Sequence, residues 1–166
     1  CLGLITVKDI QKSEKFPLAS KDEKKSLVVG AAIGVDQDGV NRAVSLMKAG
    51  CDFLTIDTAH GHSQSVINTV KKVRSLNKNI TLIAGNIATA EAAIELAKLK
   101  VDAVKVGIGP GSICTTRVVA GIGFPQFSAI VNVKKALSKF KDVKIIADGG
   151  IRYSGDIAKA LGAGAD

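Results

Sequence analysis

The sequence predicts an α/β fold, a parallel sheet with helices packed outside it, and three observations lead there. Short runs rich in β-branched residues alternate with amphipathic stretches at helical period. The joints at the ends of the helical stretches repeat, as Gly50-Cys51-Asp52, Lys100-Val101-Asp102 and Gly164-Ala165-Asp166. The residues that close the runs are polar or glycine, as expected where parallel strands present a ligand site at their carboxyl ends. Five β-α units can be read this way. A closed eight-stranded barrel would need three more from outside these residues, whereas a doubly wound open sheet could be built from five.

In chain order, residues 1–26 read as a linker or the tail of an upstream unit. A short strand-like piece, Leu4 to Val7, is followed by a charged stretch broken by Pro17. Residues 27–166 carry the alternation. Strands are expected at Leu27–Ile33, Phe53–Asp57, Thr81–Gly85, Ala103–Val106 and Lys144–Ala147. Helices are expected at about Val40–Ala49, Ser63–Leu76, Thr89–Lys98, Gln126–Lys139 and Gly155–Leu161.

Composition narrows the class. With 166 residues, 46% hydrophobic and 23% charged, the chain suits one globular domain. No apolar run is long enough to cross a bilayer, and the N-terminal residues lack the pattern of a signal peptide, so a cytoplasmic location is expected. Cys1, Cys51 and Cys114 are odd in number and without metal-site spacing, so free thiols are expected. The net charge of +8 raises nucleic acid as a partner. However, the N-terminal lysines interleave with Asp9, Glu14, Asp22 and Glu23, and no aromatic platform accompanies them, so a solvated surface is the better reading.

The stretch from Lys105 to Gln126 departs from scaffold. Gly107, Gly109 and Gly111 allow a tight turn whose N–H and C=O groups can approach a ligand. Cys114 follows among Ser112, Thr115, Thr116 and Arg117, a setting for a reactive thiol, although a small buried hydrophobe is the competing reading. No Lys-Ser or Lys-Thr pair closes a P-loop here, and no helix follows to complete a Rossmann fingerprint. Lys105 lies inside an apolar run, either reaching to the top of a barrel interior or snorkelling from an edge strand. Asp148 could accept hydrogen bonds from ribose hydroxyls, and the Gly149-Gly150 amides could meet a phosphate, or the three could form a plain tight turn. His60 and His62, with no third ligand nearby, read as polar wall rather than a metal pair.

Gly107 to Gln126, with Gly-Ser-Ile-Cys-Thr-Thr-Arg inside it, resembles the catalytic loop of the inosine-5′-monophosphate dehydrogenases. The resemblance extends to Asp57-Thr58-Ala59-His60-Gly61, Ala84-Gly85-Asn86 and Ala147-Asp148-Gly149-Gly150-Ile151-Arg152. Gly3 to Ile10 is similar to the segment that returns from that family's CBS insert. It implies a (β/α)8 TIM barrel in which Cys114 attacks C2 of inosine monophosphate, hydride passes to NAD, and a covalent thioimidate is hydrolysed to xanthosine monophosphate in guanine nucleotide synthesis. It further implies that Thr116 assists near the thioimidate. Ser112, Asp148, Gly149 and Gly150 would hold the substrate. Asp57, Thr58, Asn86, Lys105, Gly107, Ile108 and Gly109 would line the NAD site, and the carbonyls of Gly109, Gly111 and Cys114 would hold potassium. The family is typically a homotetramer. The family's first strands, CBS domains, final strand and flap, which carries the water-activating Arg, have no counterpart here, so these residues alone are expected to be inactive. Guanosine monophosphate reductase resembles the same loop, and a noncatalytic phosphosugar-binding barrel segment or a basic interaction module are the other readings.

Overall fold

The computed structural model describes residues 3–166, so Cys1 lies outside it. Five strands, β1 (Gly30–Ile33), β2 (Phe53–Asp57), β3 (Thr81–Ile87), β4 (Ala103–Val106) and β5 (Lys144–Ala147), form one parallel sheet in the order β1-β2-β3-β4-β5. That order decides between the two architectures. A doubly wound sheet reverses direction at a switch point, whereas right-handed crossovers that always step the same way put every helix on one face. This sheet never reverses, and it is part of a (β/α)8 barrel.

The helices are α1 (Val7–Lys15), α2 (Asp36–Lys48), α3 (Gln64–Leu76), α4 (Ala90–Lys98), α5 (Gln126–Ala136), continued by a 3₁₀ turn at Leu137–Lys139, and α6 (Ser154–Ala163). Helix α2 packs on α3, and α5 on both α4 and α6. They bury the outer face of the sheet, where Ile33, Leu54, Ile56, Leu82, Ala84, Val104, Val106 and Ile145 meet Val66, Val70, Leu96, Ile130 and Val133. Because strand side chains alternate, Thr55, Ile83, Lys105 and Ile146 point to the other face, which is more open.

Most expected elements fall within a few residues of the observed ones, and local chemistry explains the differences. The strand-like piece Leu4–Val7 instead leads into α1. Thr6 and Asp9 form a reciprocal cap, with the Thr6 N–H donating to Asp9 Oδ2 (3.0 Å) and the Asp9 N–H to Thr6 Oγ1 (3.3 Å), and this outweighs the β-branched run. Strand β1 starts at Gly30 rather than Leu27, because Leu27 bridges back to Lys21 and the Val28 N–H donates to the Ser20 carbonyl. Helix α2 begins at Asp36 rather than Val40. Its start is held from α3, where the buried Thr69 hydroxyl accepts the Asp36 N–H at 3.1 Å. Ser63 and Thr89 cap α3 and α4. Among the described residues no helix is long and apolar enough to cross a membrane.

Candidate functional site

Register places Asp57, Gly85, Lys105 and Ile146 abreast on the open face at the carboxyl ends of β2 to β5. Gly85 leaves a gap in that row. A Cβ there would lie 2.6 Å from the Lys105 Cβ, so only glycine lets the lysine lie across β3. Lys105 Nζ then donates to Asp57 Oδ1 at 2.7 Å and lies 3.2 Å from Asp148 Oδ2. Its side chain is 18% exposed against 47% and 43% for the two carboxylates. Burial opposes its charge, but the Asp57 hydrogen bond and the Asp148 carboxylate outweigh that and hold the ammonium above the ordinary lysine range. Strand β4 is interior to the sheet, so the snorkelling edge lysine is excluded.

The β3–β4 register slips between Gly85 and Ile87, and this bulge turns Asn86 into the site. Its Nδ2 donates to the Gly107 carbonyl (2.9 Å) and to Asp148 Oδ2 (2.7 Å). Both partners are acceptors, which fixes the amide orientation and leaves Oδ1 without a hydrogen-bond partner. Gly107 allows the ends of β4 and β5 to close up, since a Cβ there would stand 2.0 Å from the Asp148 carbonyl oxygen.

Beyond Gly107 the chain forms a long loop containing one wide helical turn, Thr116–Ala120. Cys114 is partly exposed, and its Sγ lies 3.3 Å from Thr116 Oγ1. The Thr116 hydroxyl and then its backbone N–H stabilise the thiolate and lower the thiol below its ordinary 9.0, with Arg117 adding a smaller electrostatic part. The Arg117 guanidinium donates to the Phe124 carbonyl at 2.7 Å. Its aliphatic stem fills the space beside Gly109 and Gly123, where a Cβ would come within 2.7 and 2.6 Å of Arg117 Cγ. Arg117 therefore staples the two ends of the loop. Cys51 by contrast sits at the foot of the sheet, with Sγ 3.1 Å from the Phe53 carbonyl.

Two clefts flank this loop. One, of about 410 Å³, is lined by Asp57, Asn86, Lys105, Cys114, Thr116 and Asp148, and also by Thr58, Gly107, Ile108 and Gly109. The other, of about 710 Å³, is lined by Gly111, Ser112, Gln126, Gly149, Gly150 and Arg152. The Gly149-Gly150 turn, with φ of 86° and 78°, packs against Pro110 and Gly111. The residues expected to hold a cofactor and those expected to hold a phosphate thus fall into adjoining clefts, with Cys114 in the first. His62 is drawn away to Glu95 on α4, 2.6 Å from it.

Sequence reasoning gave Gln126 no role. Its Nε2 donates to the Val106 (2.7 Å) and Asp148 (3.3 Å) carbonyls, tying the start of α5 to the ends of β4 and β5. The signal available was an amide side chain directly after Pro125, at a helix start facing the strand ends.

Comparison with known proteins gives the family and supports the fold. Residues 5–166 match the family model described as IMP dehydrogenase / GMP reductase domain. The chain is 55% identical over 163 residues to the inosine-5′-monophosphate dehydrogenase of Aquifex aeolicus and 57% identical over 162 residues to that of Staphylococcus aureus. The match covers 98% of this chain and 33% of each relative. The chain therefore spans about a third of the length of these curated relatives. Among solved structures it resembles a cysteine-to-alanine variant of GMP reductase from Trypanosoma brucei, with a TM-score of 0.89 and 49% identity, covering 98% of this chain and 37% of that one.

Proposed function

The chain belongs to the IMP dehydrogenase / GMP reductase family, and on that premise we propose that it supplies the reacting cysteine and much of the ligand site of an NAD-dependent IMP dehydrogenase. The observation that carries this reading is Cys114, its thiol lowered by Thr116, in one cleft with Asp57, Lys105 and Asp148 at the strand ends.

In this reading the nucleotide phosphate lies against Ser112 and the Gly149-Gly150 amides, the ribose hydroxyls meet Asp148, and the purine reaches Cys114. The thiolate adds to C2 and the C2 hydrogen leaves as hydride, which NAD accepts when bound. Water then adds to C2 and expels the thiolate, leaving xanthosine monophosphate. Splitting the oxidation into addition and hydrolysis lowers each barrier. The Thr116 hydroxyl stabilises the thiolate both before attack and on departure. No base for the water is assigned within these residues, so turnover is proposed to require the rest of the protein.

The cofactor fits what is present. Asn86 Oδ1 is a buried acceptor with no protein partner in the wall of the cleft, and Asp57 offers a half-exposed carboxylate in the same cleft. At about 410 Å³ the cleft is near the small end of ligand pockets (about 300–1,000 Å³) and suits one end of a dinucleotide. Gly109, Gly111 and Cys114 lie close together in one loop, and their carbonyls would make an oxygen-only set suited to potassium. Gly111 O already accepts the Cys114 N–H at 3.1 Å, which leaves its second lone pair. The exposed aliphatic side chains Ile113, Val118 and Val119 on the loop are apolar surface that another part of the protein or a second copy could cover, in line with the homotetramer proposed for the whole protein.

The test is mass spectrometry of the full-length protein incubated with inosine monophosphate and NAD, with and without Cys114→Ala. A nucleotide adduct on the Cys114 peptide that the variant lacks, together with NADH release, is the expected result. The likeness to GMP reductase favours a second reading, deamination of guanosine monophosphate by the same cysteine. An adduct formed only from guanosine monophosphate, with ammonia release, would establish that reaction instead.

A further inference from the structure

Among the described residues, Lys105 is the one side chain that touches carboxylates assigned to different ligands: Asp57, on the cofactor side, at 2.7 Å and Asp148, on the ribose side, at 3.2 Å. Asn86 adds a second tether to the same Asp148 oxygen, at 2.7 Å. Asp148 Oδ2 is thus engaged from both sides, and Oδ1 is the oxygen left for a ribose hydroxyl. The ammonium is shielded while both carboxylates are about half exposed, so the lysine is the fixed member and the carboxylates are the ones a ligand can order.

We propose that Lys105 is a positioning residue that couples the two ligands, so that a nucleotide ribose ordering Asp148 also orders Asp57, through the shared ammonium, for the cofactor. The inference rests on the proposed assignment of the two ligand sites. Its physical basis is entropic. A carboxylate already held in one rotamer costs the second ligand less to order, which gives positive cooperativity without any backbone movement. By reciprocity the cofactor strengthens nucleotide binding by the same factor. The bare Gly85 beneath the lysine is what makes the span from β4 to β2 possible.

The experiment uses full-length protein in a Cys114→Ala background, where no adduct forms. NAD affinity is measured by calorimetry with and without saturating inosine monophosphate, and the ratio is the coupling factor. With Lys105 intact the factor is expected to be about fivefold or more, the lower end of typical couplings. In Lys105→Met each ligand is expected to bind alone more weakly, since its carboxylate loses an anchor, and the factor should fall close to one, whereas Lys105→Arg, which can still bridge two carboxylates, should restore most of it. A merely structural lysine would weaken both ligands alone and leave the ratio unchanged. Should Lys105→Met fail to fold, Lys105→Gln keeps a polar side chain, and the same loss of coupling is expected. An unchanged factor in Lys105→Met or Lys105→Gln, or a factor of one with Lys105 intact, would overturn the inference. Failure of each ligand to bind alone with Lys105 intact would overturn the proposed function, and the inference with it.

Discussion

At the scale of single residues, the proposed chemistry rests on Cys114 and Thr116. Alkylation rate follows the thiolate fraction, so its pH profile reports the thiol directly. Because the Thr116 hydroxyl holds the thiol below 9.0, the midpoint for Cys114 is expected below 9.0 and should rise toward it in Thr116→Val. Identical midpoints in the two proteins would remove Thr116 from this role. Cys114 was legible in the sequence as a candidate, and its partly exposed place beside Thr116 with it, because its neighbours are hydroxyls and a cation, and that contrast is local. Arg117 was legible only as a nearby charge. Its work as a staple depends on Gly109, Gly123 and Phe124 meeting around one side chain, and loop closure is not written in neighbouring residues.

At the scale of elements, helix starts carry the clearest local code. Asp9 and Asp156 each sit in the first turn of a helix and accept backbone N–H groups, from Thr6 in α1 and from Arg152 and Tyr153 in α6. The Thr6 hydroxyl, then its N–H, lowers Asp9 below 3.8, and the Arg152 and Tyr153 N–H groups do the same for Asp156. A carboxyl lowered by folding stabilises the folded state above its unfolded value of 3.8, and that contribution is lost as pH falls through the lower folded value. Part of the acid loss of helical circular dichroism is therefore expected to disappear in an Asp9→Asn, Asp156→Asn double variant. An identical acid limb would show that these caps do not contribute. The Thr6–Asp9 pair was present in the sequence, but the apolar Leu4-Ile5 beside it read as strand. Capping chemistry won because α1 buries nothing that could favour a sheet.

For the whole molecule, the repeated joints show how the strands are locked to one another. The N–H groups of Asp52, Asp102 and Asp166 each donate at 2.9 Å to Val29, Leu82 and Ile145 respectively, and each carboxylate accepts the N–H of that same residue, at 2.7, 2.7 and 3.0 Å. Asp102 in addition pairs with Arg74, which also holds the Lys100 and Ile80 carbonyls. Asp102→Ala leaves the Leu82 N–H and the shielded guanidinium without this partner, and is expected to cost about 1–3 kcal/mol, most of it from the orphaned donors because the carboxylate itself is half exposed. Denaturant unfolding checks this, and a loss under about 0.5 kcal/mol, the range of ordinary surface changes, would mean the joint is ornamental. The recurrence of these joints was visible in the sequence, and so by itself the sequence determined the alternation of strands and helices, the five parallel units and the cysteine loop at their carboxyl ends. Each of those comes from residue period and local turn chemistry. Strand order, and with it the barrel over the doubly wound sheet, was decided only by tertiary structure, as were the partners of Lys105. Which way a crossover steps, and which residues stand abreast, depend on pairing between strands far apart in the chain, and no local pattern carries that information.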